Sequence, residues 1–466
     1  MERSKFTIRT SDRRVFRRCL RKWDHMSSLR KNLKRRGTET NINFWFGSAI
    51  HFALEDYHGY NRFKDPRRAL WAYYKAFKES EWPDGAELHY DLGMSMLSYY
   101  VTWYEKHNKD LEFRTPWLDA NGQEVAPFTE GATPAVEQKF YFELPYQVVA
   151  DRVTDEIYAV ADEANLSRLV ENELPQWSGT SDEPTVEYYW PVDDEGTLRE
   201  VHIVPIYYHG TMDRIVVDKY GRWWILDYKT AKGADTNKLE TDDQISAYLW
   251  AAEKHFGRKI HGFIYLQLTK EAVQQPRRLK DGTLSTAKGQ KTTYSLVRQA
   301  IIDDYGSVSA APSKYVKFLN DMAMTEEPEG DRFIRWDYVY RNRGQIESTY
   351  EHILGELQLM LQQELYCFPT PTRDCIWDCP IRDMCIAMDK KDDALVAKLM
   401  LDWEKRPRHE DGNADDWVAN IPWPKDEQDL IPLEDILQPE VCMNIELDSL
   451  TEETTGFKFL FAEEDE

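Results

Sequence analysis

The chain has 466 residues, 42% of them hydrophobic and 13% aromatic, enough for two or three folding units around a large core. No apolar run approaches the roughly 18 residues that span a bilayer, and the amino terminus carries no signal-peptide core, so we expect no membrane partner and a cytoplasmic location. The formal net charge of −23 looks wrong for a nucleic-acid partner, but residues 1–36 hold 14 Lys and Arg against 3 Asp and Glu while residues 402–466 hold 5 against 20.

Residues 1–40 read as a basic arm in which Ser11 is a candidate helix N-cap and Cys19 sits among cations suited to phosphate contacts. Residues 41–130 are read as a helical subdomain, its helical periodicity running from Asn41 to about Trp117. Within them His51 and Glu55 stand four apart, hence on one helix face, where His51 can reach a metal and Glu55 can steady it. The tryptophans and tyrosines between Trp71 and Tyr104 recur at helical spacing and belong to a core. Residues 118–135 and 172–198 read as loops, and between them the stretch from Ala135 to Leu144 alternates like a strand carrying Glu137.

The stretch from Gly210 to Thr230 reads as a hairpin whose turn is Lys219-Tyr220-Gly221-Arg222. Asp227 and Lys229, two apart on a strand, share a face, and Asp213 on the partner strand can meet them. Two carboxylates converging with a lysine suit Mg²⁺ or Mn²⁺, which lowers the pKa of a water, while Lys229 positions that water or offsets developing charge. An isolated Asp-x-Lys is more often a surface ion pair. Here residues 223–226 are all apolar, the mark of a strand covered on both faces, so the pair is expected to be partly desolvated.

A helix from Thr241 to Phe256 follows, with Gln244 and Tyr248 on one face, and then a strand from His261 to Leu268, closing a core assigned to residues 131–270. Residues 271–345 read as a basic insert, loop-like over 271–298, that can touch substrate. Residues 346–390 hold a helix followed by Cys367, Cys375, Cys379 and Cys385 in a Pro-rich stretch, a metal-binding signal whose spacing fits zinc and iron-sulfur alike. Residues 391–466 form an acidic tail, expected to be partly disordered, whose aromatic patch from Phe457 to Phe461 either docks on a protein partner or belongs to a solubilising end.

The His51 helix, Asp213, the string Asp227-Tyr228-Lys229-Thr230, and the pair Gln244 and Tyr248 follow one another in the order of the RecB-like branch of the PD-(D/E)XK nucleases, which this chain resembles. The resemblance implies an α/β fold, with a restriction-endonuclease-like mixed sheet core flanked by helices, a helical amino-terminal region and a carboxy-terminal iron-sulfur cap. It implies a metal-dependent DNA exonuclease in which His51, Asp213, Asp227 and the Tyr228 main-chain carbonyl hold Mg²⁺ or Mn²⁺, and Gln244 and Tyr248 bind substrate. It also implies a 4Fe-4S cluster on Cys19, Cys375, Cys379 and Cys385, with Cys367 open as a replacement, and makes Glu55 and Glu137 supporting candidates. The wording of the basic insert is similar to bacteriophage members, which points to phage DNA recombination, repair or processing in a host cytoplasm. The rival expectation is a catalytically inactive or weakly active DNA-binding subunit of a recombination complex.

Overall fold

A computed structural model describes residues 6–36, 41–162, 165–166, 176–178, 186–191, 197–233, 239–324, 331–362, 364–376, 379–406 and 416–436. The amino-terminal part contributes strand β1 (Phe6–Ile8), helices α1 (Thr10–Arg18) and α2 (Leu20–Met26), and strand β2 (Leu33–Arg35). Helix α1 starts before Ser11, with Arg9 as its N-cap and the Asp12 carboxylate accepting from Arg9 N at 2.9 Å, so Asp12 and not Ser11 closes its first turn. Three helices follow: α3 (Ile42–His58), α4 (Pro66–Lys75) and α5 (Ala86–Asn108). Asn41 caps α3 by accepting from Asn43 N at 2.9 Å.

The sheet is built from β3 (Val136–Asp151), β4 (Ile157–Asp162), β5 (Leu198–Val217) and β6 (Trp223–Ala231). Helix α6 (Asp243–Phe256) then leads to β7 (Gly262–Thr269). The turn between β5 and β6 falls where the Lys-Tyr-Gly-Arg run places it. There Asp218 accepts from the backbone of Tyr220 and Arg222 at 2.9 Å each, and Gly221 takes a φ of 75°, which a side chain resists. Helix α6 ends on Gly257 at φ 60°, a left-handed cap.

Residues 271–293 form no helix or strand, in keeping with the loop expected over 271–298, and residues 294–345 add regular elements. They contain α7 (Tyr294–Tyr305) and α8 (Ser313–Ala323), which share a small core of Val297, Ile301, Tyr315, Phe318 and Leu319, and then β8 (Ile334–Val339). Strand β8 joins the main sheet. Helix α9 (Arg343–Met360), α10 (Arg382–Asp389), α11 (Asp393–Met400) and β9 (Trp403–Lys405) complete the order. Part of the acidic tail is ordered: Ile421 and Ile436 are buried against α3 to α5, and the Arg62 guanidinium stacks 3.7 Å from the Trp423 ring centroid. The Phe457 to Phe461 patch lies outside the described residues.

The strand order is β8-β7-β6-β5-β3-β4, with β6 and β7 parallel and the other adjacent pairs antiparallel. This is the mixed α/β arrangement expected of a restriction-endonuclease-like core. Even-numbered residues of the central strands (Trp224, Leu226, Tyr228, Ile264, Leu266) pack against α3, α4 and α5. Odd-numbered ones (Trp223, Ile225, Phe263) pack against α1, α6 and α9. Both faces are covered, which is why residues 223–226 carry no polar side chain.

Candidate active site at the fork of the sheet

Ladder pairing between β5 and β6 stops at Arg214↔Leu226. Beyond that point β5 keeps β3 on one edge and takes β1 on the other, at Phe6↔Ile206, while β6 stays with β7. The sheet therefore forks just past Arg214 and Leu226, leaving backbone groups that no strand satisfies. Asp213 fills that gap, its Oδ2 accepting from Tyr228 N at 2.8 Å.

The third acid comes from the other side of β5. The register pairs Met212 with Gln138, and Ile215 N donates to Ala135 O at 2.8 Å, so Glu137 lies opposite Asp213. Glu137 takes a φ of 45°, a left-handed conformation rare for a non-glycine residue. The Gln138 amide bonds Val136 O at 3.0 Å across this kink. Helix α3 then brings His51 over the fork, Nδ1 being 3.5 Å from Asp213 Oδ2. Two glycines permit these approaches. A Cβ on Gly59 would stand 2.9 Å from Val136 Cγ2, and one on Gly210 would stand 2.5 Å from Phe140 Cζ.

His51, Glu137 and Asp213 each offer one ligand atom, all within 4.8 Å of one another, and among the described residues no other three His, Cys, Asp or Glu side chains do so. Asp227, expected in the ligand set, is turned to Lys229, whose Nζ lies 2.7 Å from its Oδ2. Electrostatics mark the same cluster. Burial, then repulsion from Asp213, Glu55 and Asp227, pushes Glu137 up to about 9, with Lys139 opposing. Burial raises Asp227 to about 6 even though Lys229 favours its charge. Burial alone would lower Lys229, but the charges of Asp227 and Asp213 more than offset it and hold the amine protonated. Carboxylates crowded until one retains a proton are what a divalent cation relieves, and oxygen donors with one imidazole suit such an ion. The residues present therefore fit a divalent metal.

Helix α6 places Tyr248 beside the acids. Burial and the charges of Asp227 and Asp213 raise its hydroxyl well above the usual range, and Gln244 hydrogen-bonds with it. Behind the fork lies a group that periodicity does not reveal. Arg214 is 2% exposed, with Nε donating to Thr115 Oγ1 at 2.8 Å and its two Nη atoms to Tyr228 and Tyr104 hydroxyls at 3.3 and 3.2 Å. Its only sequence signal is its place beside Asp213.

A family model described as the PD-(D/E)XK nuclease superfamily matches residues 10–386. The chain belongs to the PD-(D/E)XK nuclease superfamily. No curated protein matches it. Members of the superfamily use divalent metals, and membership implies a metal-dependent nuclease that binds DNA. No helix among the described residues is long and apolar enough to cross a membrane.

Within the matched span, Cys19 and the carboxy-terminal cysteines share a neighbourhood. Cys19 occupies the extended break between α1 and α2, and Arg21 beyond it donates to Cys385 Sγ at 3.3 Å. Burial raises the Cys379 thiol, and charge on Cys375 and Cys19 is close enough to raise it further. Cys367 lies elsewhere, with Leu365 O 3.5 Å from its Sγ and Asp24 and Arg30 around it. Several cations of the basic arm already have carboxylate partners within the protein. Arg13 and Arg17 pair with Asp243 and Glu356, Arg14 with Asp242, and Arg21 with Asp389.

Proposed function

We propose that the chain is a Mg²⁺- or Mn²⁺-dependent DNA exonuclease that hydrolyses phosphodiester bonds without sequence specificity. The observation that supports this most is the row of Glu137, Asp213 and Asp227 at the fork, with the Lys229 amine held against it. His51, Glu137 and Asp213 would hold the ion, with Asp227 and the Tyr228 carbonyl beside them. When bound, the cation polarises the attacked phosphate and lowers the pKa of a water.

The protein's own groups supply the rest. Tyr228 N fixes Asp213. Lys229, anchored through one of its three donors to Asp227, keeps others for the attacking water or a phosphate oxygen and offsets charge that grows there. Gln244 and Tyr248, on the helix over the fork, would hydrogen-bond the DNA backbone. None of these groups reads a base edge, so cutting is independent of sequence.

Cys19, Cys375, Cys379 and Cys385 would hold a 4Fe-4S cluster, and the Arg21 donor at Cys385 is the kind of hydrogen bond that tunes thiolate ligands. The cluster's role would be to staple the two ends of the chain around the core. We place the activity in phage DNA recombination, repair or processing.

End-labelled linear single- and double-stranded DNA, and closed circular DNA beside it, incubated with anaerobically purified protein and either Mn²⁺ or EDTA, test the reading. Release of short labelled products from DNA ends only with Mn²⁺ is the expected outcome. DNA left whole with Mn²⁺ refutes a nuclease, and cutting of closed circles refutes an exonuclease.

A further inference from the structure

Helix α6 carries Gln244 and Tyr248, yet nothing in its own sequence fixes how deeply its amino terminus is seated. Three arginines on one face of α1 do so from outside. Arg13, 1% exposed, donates from Nε to Glu356 Oε2 at 2.7 Å and places Nη2 3.7 Å from Asp243 Oδ2. Arg17 pairs with the same Asp243 and approaches Glu356 Oε1 at 3.6 Å, and Arg14 pairs with Asp242. Asp242 is the N-cap of α6, accepting from Gln244 N at 2.9 Å, and Asp243 opens its first turn. From the opposite side Arg341 donates to Ser246 Oγ at 2.9 Å, to Leu239 O at 2.6 Å and to Asp242 O at 3.3 Å.

The helix start is thus gripped by α1, by α9 through Glu356, and by the segment after β8. Such a grip is needed for a physical reason. The first turn of a helix has unsatisfied N–H groups and frays, and Gln244 lies in that turn. The acids at the start of α6 favour the helix dipole, while the arginines fix them in space. Residues that place a hydrogen-bonding pair to within a fraction of an ångström govern rate more than binding.

We propose that Arg13, acting through Asp243 and Glu356, is a positioning residue for cleavage: it sets Gln244 and Tyr248 against the Asp213 and Asp227 carboxylates. The assignment rests on the nuclease reading. It explains why the arm's arginines are spent on protein carboxylates, and it ties the active-site helix to the element that ends at Cys19.

The test is Asp243→Asn, which keeps the side-chain volume, leaves Arg13 its Glu356 partner and removes no group proposed to touch DNA or metal. Glu356→Gln serves as an independent second variant. Expected for each are an unchanged Mn²⁺ Kd, a KM for DNA that rises by less than kcat falls, kcat lower by about tenfold, and faster amide exchange confined to residues 244–248. Unchanged kcat in both variants overturns the assignment, and so does a Mn²⁺ Kd that weakens in step with kcat, which would mean a general collapse of the site. Unchanged exchange at 244–248 also overturns it, whatever happens to the rate. A wild-type chain that cuts no DNA overturns the nuclease reading and this assignment together, whereas a wild type and variants that cut equally overturn this assignment alone.

Discussion

Glu137→Gln is the most informative single change, because it separates the cost of an acid without a cation from the benefit of an acid with one. In the metal-free protein, burial and the charges of Asp213, Glu55 and Asp227 push Glu137 from an ordinary 4.5 up to about 9. The folded state therefore holds a proton that the unfolded chain releases above about 4.5. Stability from this group is complete below that pH and is lost as pH rises towards about 9. One proton is worth about 1.4 kcal/mol per pH unit inside the window. Glu137 is only partly buried, so solvent screening reduces the loss between pH 6 and pH 8 to ~1–2 kcal/mol. Glutamine cannot ionise. In EDTA the variant's advantage over the wild type should be small near pH 5 and should grow by ~1–2 kcal/mol between pH 6 and pH 8. Divalent metal reverses the order, since Mn²⁺ at a hundred times its Kd stabilises the wild type by about 2.7 kcal/mol and the variant lacks one ligand. Urea melts at pH 5, 6.5 and 8, in EDTA and in Mn²⁺, with titration calorimetry for the ion, read all of this. A variant whose EDTA melts fall with pH as steeply as the wild type's, or which binds Mn²⁺ equally well, would refute the reasoning.

Lys229→Ala should lower kcat by about 10²–10³-fold with folding retained, Asp227 taking up a proton in the amine's absence; steady-state cleavage and a thermal melt check it, and undiminished cleavage excludes the assigned role. Gly210→Ala forces a Cβ to within 2.5 Å of the Phe140 ring, so ring and strand must separate. The cost is ~1–3 kcal/mol in a urea melt, and wild-type stability would show that the ring swings away freely. On the proposed cluster assignment, Cys379→Ser should abolish the brown visible absorbance expected of a 4Fe-4S protein and lower the melting temperature, and a variant as coloured and stable as the wild type removes that residue from the proposed ligand set.

Several features were legible because they are local. The turn at residues 219–222, the strand on either side of it and the shared face of Asp227 and Lys229 follow from turn chemistry and a two-residue period, and all appear in the structure. The helix bearing His51 and the one bearing Gln244 and Tyr248 follow from the helical period in the same way. The order of these pieces along the chain was enough to suggest the PD-(D/E)XK fold.

What the chain's own pattern left open was every relation between residues far apart. Glu137 reached the site through a register set between strands more than fifty residues apart and through a left-handed kink that no propensity marks. His51 was brought to Asp213 because α3 crosses the point where the sheet forks. Strand β8 went unseen within the span read as a basic insert, since an edge strand with Arg335 and Asp337 has too few apolar residues to declare itself. Arg13, Arg14 and Arg17 of α1 read in the sequence as positive charge without a partner, because their carboxylates stand more than two hundred residues away. Local chemistry wrote the elements and the reactive groups. Long-range packing, which alone decides which charges are buried together, chose among those groups and made a site of them.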